Sequence, residues 1–185
     1  HQNDTTMLIG RKEELRELND AFKSEYSEFV AVYGRRRVGK TFLVREAFNY
    51  EFTFQHTGVA KEKIAGQLAA FRTSLIDYGY KDCPELASWP DAFNSLKVGI
   101  KSSRKKKKVI FIDEISWMDT PKSNFVSALE HFWNSWCSAR KDVLLIICAS
   151  ATSWIINKVI KDRGGLHNRV NTQIYLMPFT LKECE

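Results

Sequence analysis

In the stretch Tyr33–Thr41, YGRRRVGKT, Gly34 and the triplet Gly39-Lys40-Thr41 stand at the spacing of a phosphate-binding loop: one glycine, four residues, then Gly-Lys-Thr. Glycines let the backbone wrap tightly and turn its N–H groups inward around an anion. A helix that starts at the loop adds free amide donors and the positive end of its dipole. In such a loop Lys40 reaches the β- and γ-phosphates of a nucleotide, and the Thr41 hydroxyl ligates Mg²⁺. Arg35, Arg36, Arg37 and Val38 make up the loop between the glycines, and Phe42 follows it. The other reading of the stretch is a glycine turn of similar spelling.

A second group of acids agrees with the first motif. Val109–Glu114, VIFIDE, is an apolar run that ends in two carboxylates. A strand of that kind delivers its last residues to the carboxyl edge of a parallel sheet, where open α/β folds bind ligands. Asp113 there would hold Mg²⁺ through water, and Glu114 would polarise an attacking water as general base. By itself the pair also fits a solvated strand end. With the glycine loop upstream it points to phosphoryl chemistry, and to ATP rather than GTP, since no GTPase recognition sequence is visible. A third candidate follows the most apolar run of the chain, Val143–Ala149: Ser150 first and Thr152 second, as a polar contact to the γ-phosphate or the water. A small-residue turn capping the next helix is the alternative there.

Positioning these groups requires alternating strands and helices. Phe29–Tyr33 (FVAVY) is of strand length and nearly all apolar, and Phe42, Leu43, Val44, Ala47 and Phe48 after the loop suit a buried helix face. Leu15, Leu18 and Phe22 predict an opening helix from Arg11. Glu51–His56 reads as a second strand, followed by a helix with Ile64, Leu68, Phe71 and Leu75 at a 3.6-residue period. Pro90 begins a helix bearing Phe93, Leu96 and Ile100. Lys108–Ile112 is a strand, and Phe125, Leu129, Phe132 and Trp136 mark a helix after Pro121. Val143–Ala149 is the central strand, Trp154–Ile160 is helical up to Gly164-Gly165, and Thr172–Leu176 is the last strand. The expected fold is α/β, a mostly parallel five-stranded sheet sandwiched between helices, as βαβ units require.

Composition sets the outer bounds. The 185 residues suffice for one domain with a full core, and 44% hydrophobic with 27% charged residues fits a globular protein. No apolar run approaches a membrane span, and the N-terminus lacks the apolar core of a signal peptide. Cys83, Cys137, Cys148 and Cys184 show no metal-type spacing, and a reducing cytoplasm is the simplest home. His56, His131 and His167 likewise have no partners at metal spacing. The formal charge is +6, concentrated in Lys101 and Arg104–Lys108 and in the loop arginines. Lys101–Lys108 is either a solvated basic loop or a contact for nucleic-acid phosphates. Trp133 and Trp136 either belong to the core or stack on bases. His1–Thr6 reads as an artificial leader before a natural start at Met7.

Taken together, GRRRVGKT, FIDEISW (Phe111–Trp117) and the turn Ala149–Thr152 resemble the archaeal-type ATPase family, AAA+-related and STAND-like P-loop proteins. Leu8–Leu18, LIGRKEELREL, resembles that family's opening Gly-Arg-x-x-Glu-Leu box. The resemblance implies that Ile9, Gly10 and Arg11 lie beside the adenine of ATP or ADP. Gly165–Arg169 resembles a later Leu-aromatic-Gly-Arg element, whose arginine lies near the nucleotide of its own subunit or of a neighbour's. Met177-Pro178-Phe179 resembles the family's Pro-Phe ending. Ala149 and Asn168 stand where the family usually has glycine. The family continues into a helical lid, a winged-helix region and often a nuclease-like domain. Residues 7–180 therefore read as the ATPase core and Leu181–Glu185 as the start of a lid cut short, without the arginine a lid supplies. The expected function is Mg²⁺-dependent ATP hydrolysis with self-association through the core; the alternative is a nucleotide-gated switch or nucleic-acid-binding regulator with negligible turnover.

Overall fold

The computed structural model describes residues 11–36, 38–161 and 165–178. The expectations placed on Met7, Ile9, Gly10, Arg37, Gly164, Phe179, Cys184, the leader and the lid segment lie outside these residues. A five-stranded parallel sheet in the order β2-β3-β4-β1-β5 forms the frame. Its strands are β1 (Glu28–Tyr33), β2 (Phe54–Thr57), β3 (Lys108–Asp113), β4 (Val143–Ala149) and β5 (Thr172–Tyr175). β4 is central and buried at every position, as its run of seven apolar residues requires of a strand covered on both faces. The helices are α1 (Lys12–Lys23), α2 (Lys40–Ala47), α3 (Ile64–Asp77), α4 (Trp89–Ser102), α5 (Phe125–Phe132) and α6 (Thr152–Ile155). The last two continue as π-helical turns, Trp133–Cys137 and Ile156–Ile160.

Strand alternation builds two cores. Phe29 and Ala31 of β1 face a large cluster with Phe71, Trp89, Phe93, Phe125 and Phe132 from α3, α4 and α5. Val30 and Val32 face a smaller one with Leu18 of α1 and Leu43 and Val44 of α2. The period of two along a strand thus separates the faces. α4 starts with a side-chain cap, the Ser88 hydroxyl accepting from the Asp91 amide at 3.2 Å, and Pro90 sits in its first turn.

Several sequence-level expectations need correction. The second strand runs Phe54–Thr57, not Glu51–His56. Asn49 and Tyr50 hold left-handed backbones (φ 54° and 60°) that close α2, and the chain reaches β3 just before the ladder, the Thr53 amide bonding to the Val109 carbonyl at 3.0 Å. Phe22 and Ile64 are exposed instead of buried, because Leu18 and Ala21 face the sheet in α1 and the fully buried Gln67 joins the inner face of α3. Trp133 is core, packed on Phe29 with ring centroids 5.0 Å apart, while Trp136 lies under the Arg140 guanidinium at 4.7 Å. Not all of the basic run is a solvated loop. Lys108 begins β3 and pairs with Asp142 at 3.0 Å, and the Lys107 ammonium donates to the carbonyls of Ser24 (2.8 Å) and Tyr26 (2.9 Å). Cys83, Cys137 and Cys148 are buried free thiols. Among the described residues no helix is long and apolar enough to cross a membrane.

Candidate functional site

The carboxyl ends of β1, β3 and β4 come together because their registers align: Tyr33 lies beside Ala149, and Ile112 beside Ile147. The residues that follow each strand therefore share one edge of the sheet. After β1 the chain turns at Gly34 (φ 152°), where an added Cβ would sit 2.5 Å from the Leu176 carbonyl oxygen. Only glycine fits there. Gly39 (φ 88°) precedes α2 and offers no side-chain cap, so the helix N-terminus opens onto the loop.

Lys40 is 5% exposed, and its ammonium donates to the carbonyls of Gly34 (3.0 Å) and Arg35 (2.9 Å). Burial lowers its pKa, with Glu114 and Asp113 nearby acting in the opposite sense. The cation is thus held against the loop by neutral acceptors, a position from which phosphate oxygens can take it over. Thr41 Oγ1 donates to Asp113 Oδ2 at 2.5 Å, and the other carboxylate oxygen accepts from the Glu114 amide at 2.9 Å. Asp113 is only 4% exposed, and its burial raises the pKa more than the Thr41 hydrogen bond lowers it. A buried carboxylate next to a hydroxyl is a hard-oxygen pair that fits Mg²⁺, which takes few protein ligands and completes its shell with phosphates and water.

Glu114 has a left-handed backbone (φ 49°, ψ 45°), unusual for a residue with a long side chain. That turn directs it away from the line of β3, and its Oε1 accepts a hydrogen bond from Ser150 Oγ at 3.0 Å. Ser150 at the end of β4 and Glu114 at the end of β3 thus meet across the sheet edge. Between these groups and the loop lies a cleft of about 510 Å³, lined by Arg36, Gly39, Lys40, Thr41, Phe42, Glu114 and Ser150. Asp113 lies behind Thr41.

Three lining residues, Gly58, Ala60 and Trp117, went unrecognised as site residues. Gly58 follows β2, and its amide bonds to the Asp113 carbonyl at 2.9 Å. A Cβ on it would collide with the Glu114 carbonyl oxygen. In sequence Gly58 is marked only as a glycine just beyond the second strand run. Its loop is fastened from behind by Gln67, which accepts from the Val59 amide (3.1 Å) and donates to the Val59 carbonyl (2.6 Å).

Other expected site residues lie elsewhere. Val38 is buried, and its carbonyl accepts from Arg11 at 3.4 Å; Arg11 also donates to the Met177 carbonyl at 2.5 Å and lies 3.7 Å from Glu14. Arg11, 4% exposed, thereby ties the start of α1 to the phosphate loop and to the segment after β5. Thr152 begins α6 and does not line the cleft. Arg169 is also outside the lining; its guanidinium is 3.8 Å from Glu130 of α5 and 40% exposed. His56, for which no site role was expected, is a core histidine, bonded through Nδ1 to Ser74 at 2.7 Å, and burial pulls its pKa to about 4.

Comparison with known proteins gives a consistent result. A family described as an ATPase domain predominantly from Archaea matches residues 8–184. An uncharacterized protein of Methanocaldococcus jannaschii, MJECL04, is 26% identical over 181 residues, which is 97% of this chain and 38% of that protein. The chain therefore spans well under half of that relative. Among solved structures, the Walker-type ATPase PABY2304 of Pyrococcus abyssi superposes with a TM-score of 0.64 at 15% identity, covering 94% of this chain and 55% of the other. Cdc6p of Pyrobaculum aerophilum gives 0.59 at 14% identity, covering 94% and 46%. A Drosophila ORC chain, from a structure bound to DNA, gives 0.55 at 12% identity, covering 97% of each chain. At these identities the structural matches speak for the fold.

Proposed function

Because this chain belongs to the family of ATPase domains found predominantly in Archaea, we propose that it is the ATP-binding, Mg²⁺-dependent ATP-hydrolysing core of a larger AAA+/STAND-like protein. The observation that carries the reading is the convergence of Thr41 and Asp113, 2.5 Å apart, under a cleft that also presents Lys40 and Glu114. The loop amides and Lys40 would grip the β- and γ-phosphates. Thr41 and Asp113 would hold Mg²⁺, which when bound neutralises charge on those phosphates. Glu114 would take a proton from a water whose oxygen attacks the γ-phosphorus in line. The bond from phosphorus to the β–γ bridging oxygen breaks, leaving ADP and inorganic phosphate. Ser150 would fix the Glu114 carboxylate for this step. Three buried free thiols support a reducing, cytoplasmic setting.

A calorimetric titration tests the binding half. ATP should bind the wild-type chain more tightly with Mg²⁺ than with EDTA, and Thr41→Ala should remove most of that difference while sparing metal-free binding. Equal Mg²⁺ dependence in the variant would dissociate Thr41 from the metal.

A second reading, a nucleotide-gated switch with negligible turnover, is favoured by one hydrogen-bonding arrangement. Lys40 is bonded to the loop's own carbonyls, so a nucleotide would have to displace them and reset the loop. Single-turnover hydrolysis separates the readings.

Arg169 we assign to a neighbouring subunit's cleft. Its place beside Glu130, outside its own cleft and half in solvent, supports service in trans. An arginine so supplied is worth about 10³–10⁵ in rate. Mixing Arg169→Ala with Glu114→Gln should then restore turnover that neither variant has alone. No recovery at any ratio, with both variants still associating, would remove Arg169 from a neighbour's site.

A further inference from the structure

A second groove opens at the opposite edge of the sheet. It has a volume of about 540 Å³ and lies where α1 and α2 end and β2 and β3 begin. Val109 is buried and Phe48 half-buried on its inner side, and Phe22, 38% exposed, stands on its flank with its ring 5.7 Å from that of Phe48. Lys105, Lys106 and Lys107 line it from the connection before β3, against one acid, Glu51. The three lysines have different roles. Lys107 is anchored, its ammonium on the carbonyls of Ser24, Tyr26 and Lys141. That anchor fixes the connection and leaves Lys105 and Lys106 exposed beside the aromatic flank. Arg104, also exposed, adjoins them.

An accessible aromatic ring next to two exposed ammonium groups matches a ligand with a flat apolar face and repeated negative charge. We propose that this groove binds single-stranded nucleic acid, with a base against Phe22 and the adjoining phosphates on Lys105 and Lys106. A duplex keeps its bases stacked inside and has nothing to offer Phe22. An acidic peptide satisfies the lysines but leaves the ring without a stacking partner. The site is separate from the nucleotide cleft: β3 runs from Val109 at the groove to Asp113 behind the cleft, about 13 Å at the rise of a strand.

The test is fluorescence anisotropy of a labelled fifteen-residue oligothymidylate with the full chain, without ATP, across a salt series. The outcome is thus independent of the nucleotide reading. Wild type should bind with an affinity that falls as salt rises. Neutralising both lysines, Lys105→Gln with Lys106→Gln, should weaken binding and flatten the log–log salt slope by about 1.4, at about 0.7 for each phosphate no longer neutralised. Phe22→Leu keeps apolar packing on Phe48 but removes the ring; it should cost about 5-fold or more in affinity with the salt slope unchanged, as loss of base stacking does. Lys81→Gln with Lys122→Gln, an equal charge change elsewhere on the surface, should match wild type. Absence of oligonucleotide binding, equal weakening in the two double variants, an unaffected Phe22→Leu, or equally tight binding of a duplex or of polyglutamate would each overturn the assignment.

Discussion

Glu114→Gln should bind ATP about as tightly as the wild type and hydrolyse it about 10²–10⁴-fold more slowly, the range a positioned general base contributes. The substitution is nearly isosteric, and the amide oxygen can still accept from Ser150, so the hydrogen bond at 3.0 Å has a counterpart in the variant. The left-handed backbone at position 114 and the approach of Gly58 to its carbonyl do not depend on the carboxylate. What is lost is the ability to take a proton from water. Single-turnover release of inorganic phosphate, read beside a calorimetric affinity, isolates that loss. Undiminished turnover would take Glu114 out of the chemistry.

The second large effect is expected at Lys40. Its ammonium rests on two neutral carbonyls, at 3.0 and 2.9 Å, and on the proposed reading the phosphate oxygens of ATP would replace them. Hydrogen bonds to charged groups contribute about 1.5–3 kcal/mol each, so losing two on the ligand side corresponds to a decrease of about 100-fold or more in affinity. Lys40→Ala also releases the Gly34 and Arg35 carbonyls, which loosens the loop and adds to the loss. Lys40→Met retains the buried stem and separates the two contributions: it should bind ATP as poorly as Lys40→Ala while melting closer to the wild type. Unchanged ATP affinity in both variants would dismiss this loop as the phosphate site.

Strands with continuous apolar runs were legible in sequence, because a strand covered on both faces tolerates nothing else. β1, β3 and β4 stand where FVAVY, KVIFI and VLLIICA place them, within a residue at an end. β2 was displaced because apolar character marks burial and not pairing. Phe52 is buried, yet it precedes the ladder, which begins at Phe54 opposite Ile110. At the cleft, spacing along the chain picked out the groups that line or adjoin it within a few residues of one another: the loop, Lys40, Thr41 and the Asp113-Glu114 pair. Gly58 and Trp117 escaped notice because their places depend on the β2–β3 register and on the turn after Glu114. Arg11 was singled out only through the family resemblance, as a residue beside the adenine, and its carbonyl contacts were not legible. Its buried guanidinium reaches carbonyls 27 and 166 residues away, and no local pattern encodes hydrogen bonds of that span.

α2 has its first residue at the phosphate loop and its last at the lysine groove. Eight residues of helix form a rod about 12 Å long, too short to absorb a displacement by bending. A shift of its N-terminus toward a phosphate therefore moves Ala47 and Phe48 as well. Thermodynamic linkage then makes any communication between the two ends reciprocal: whatever factor ATP applies to occupancy of the groove, an occupant of the groove applies to ATP. If both ends are occupied as proposed, the helix would serve as a shared lever, with neither end having precedence as signal or response.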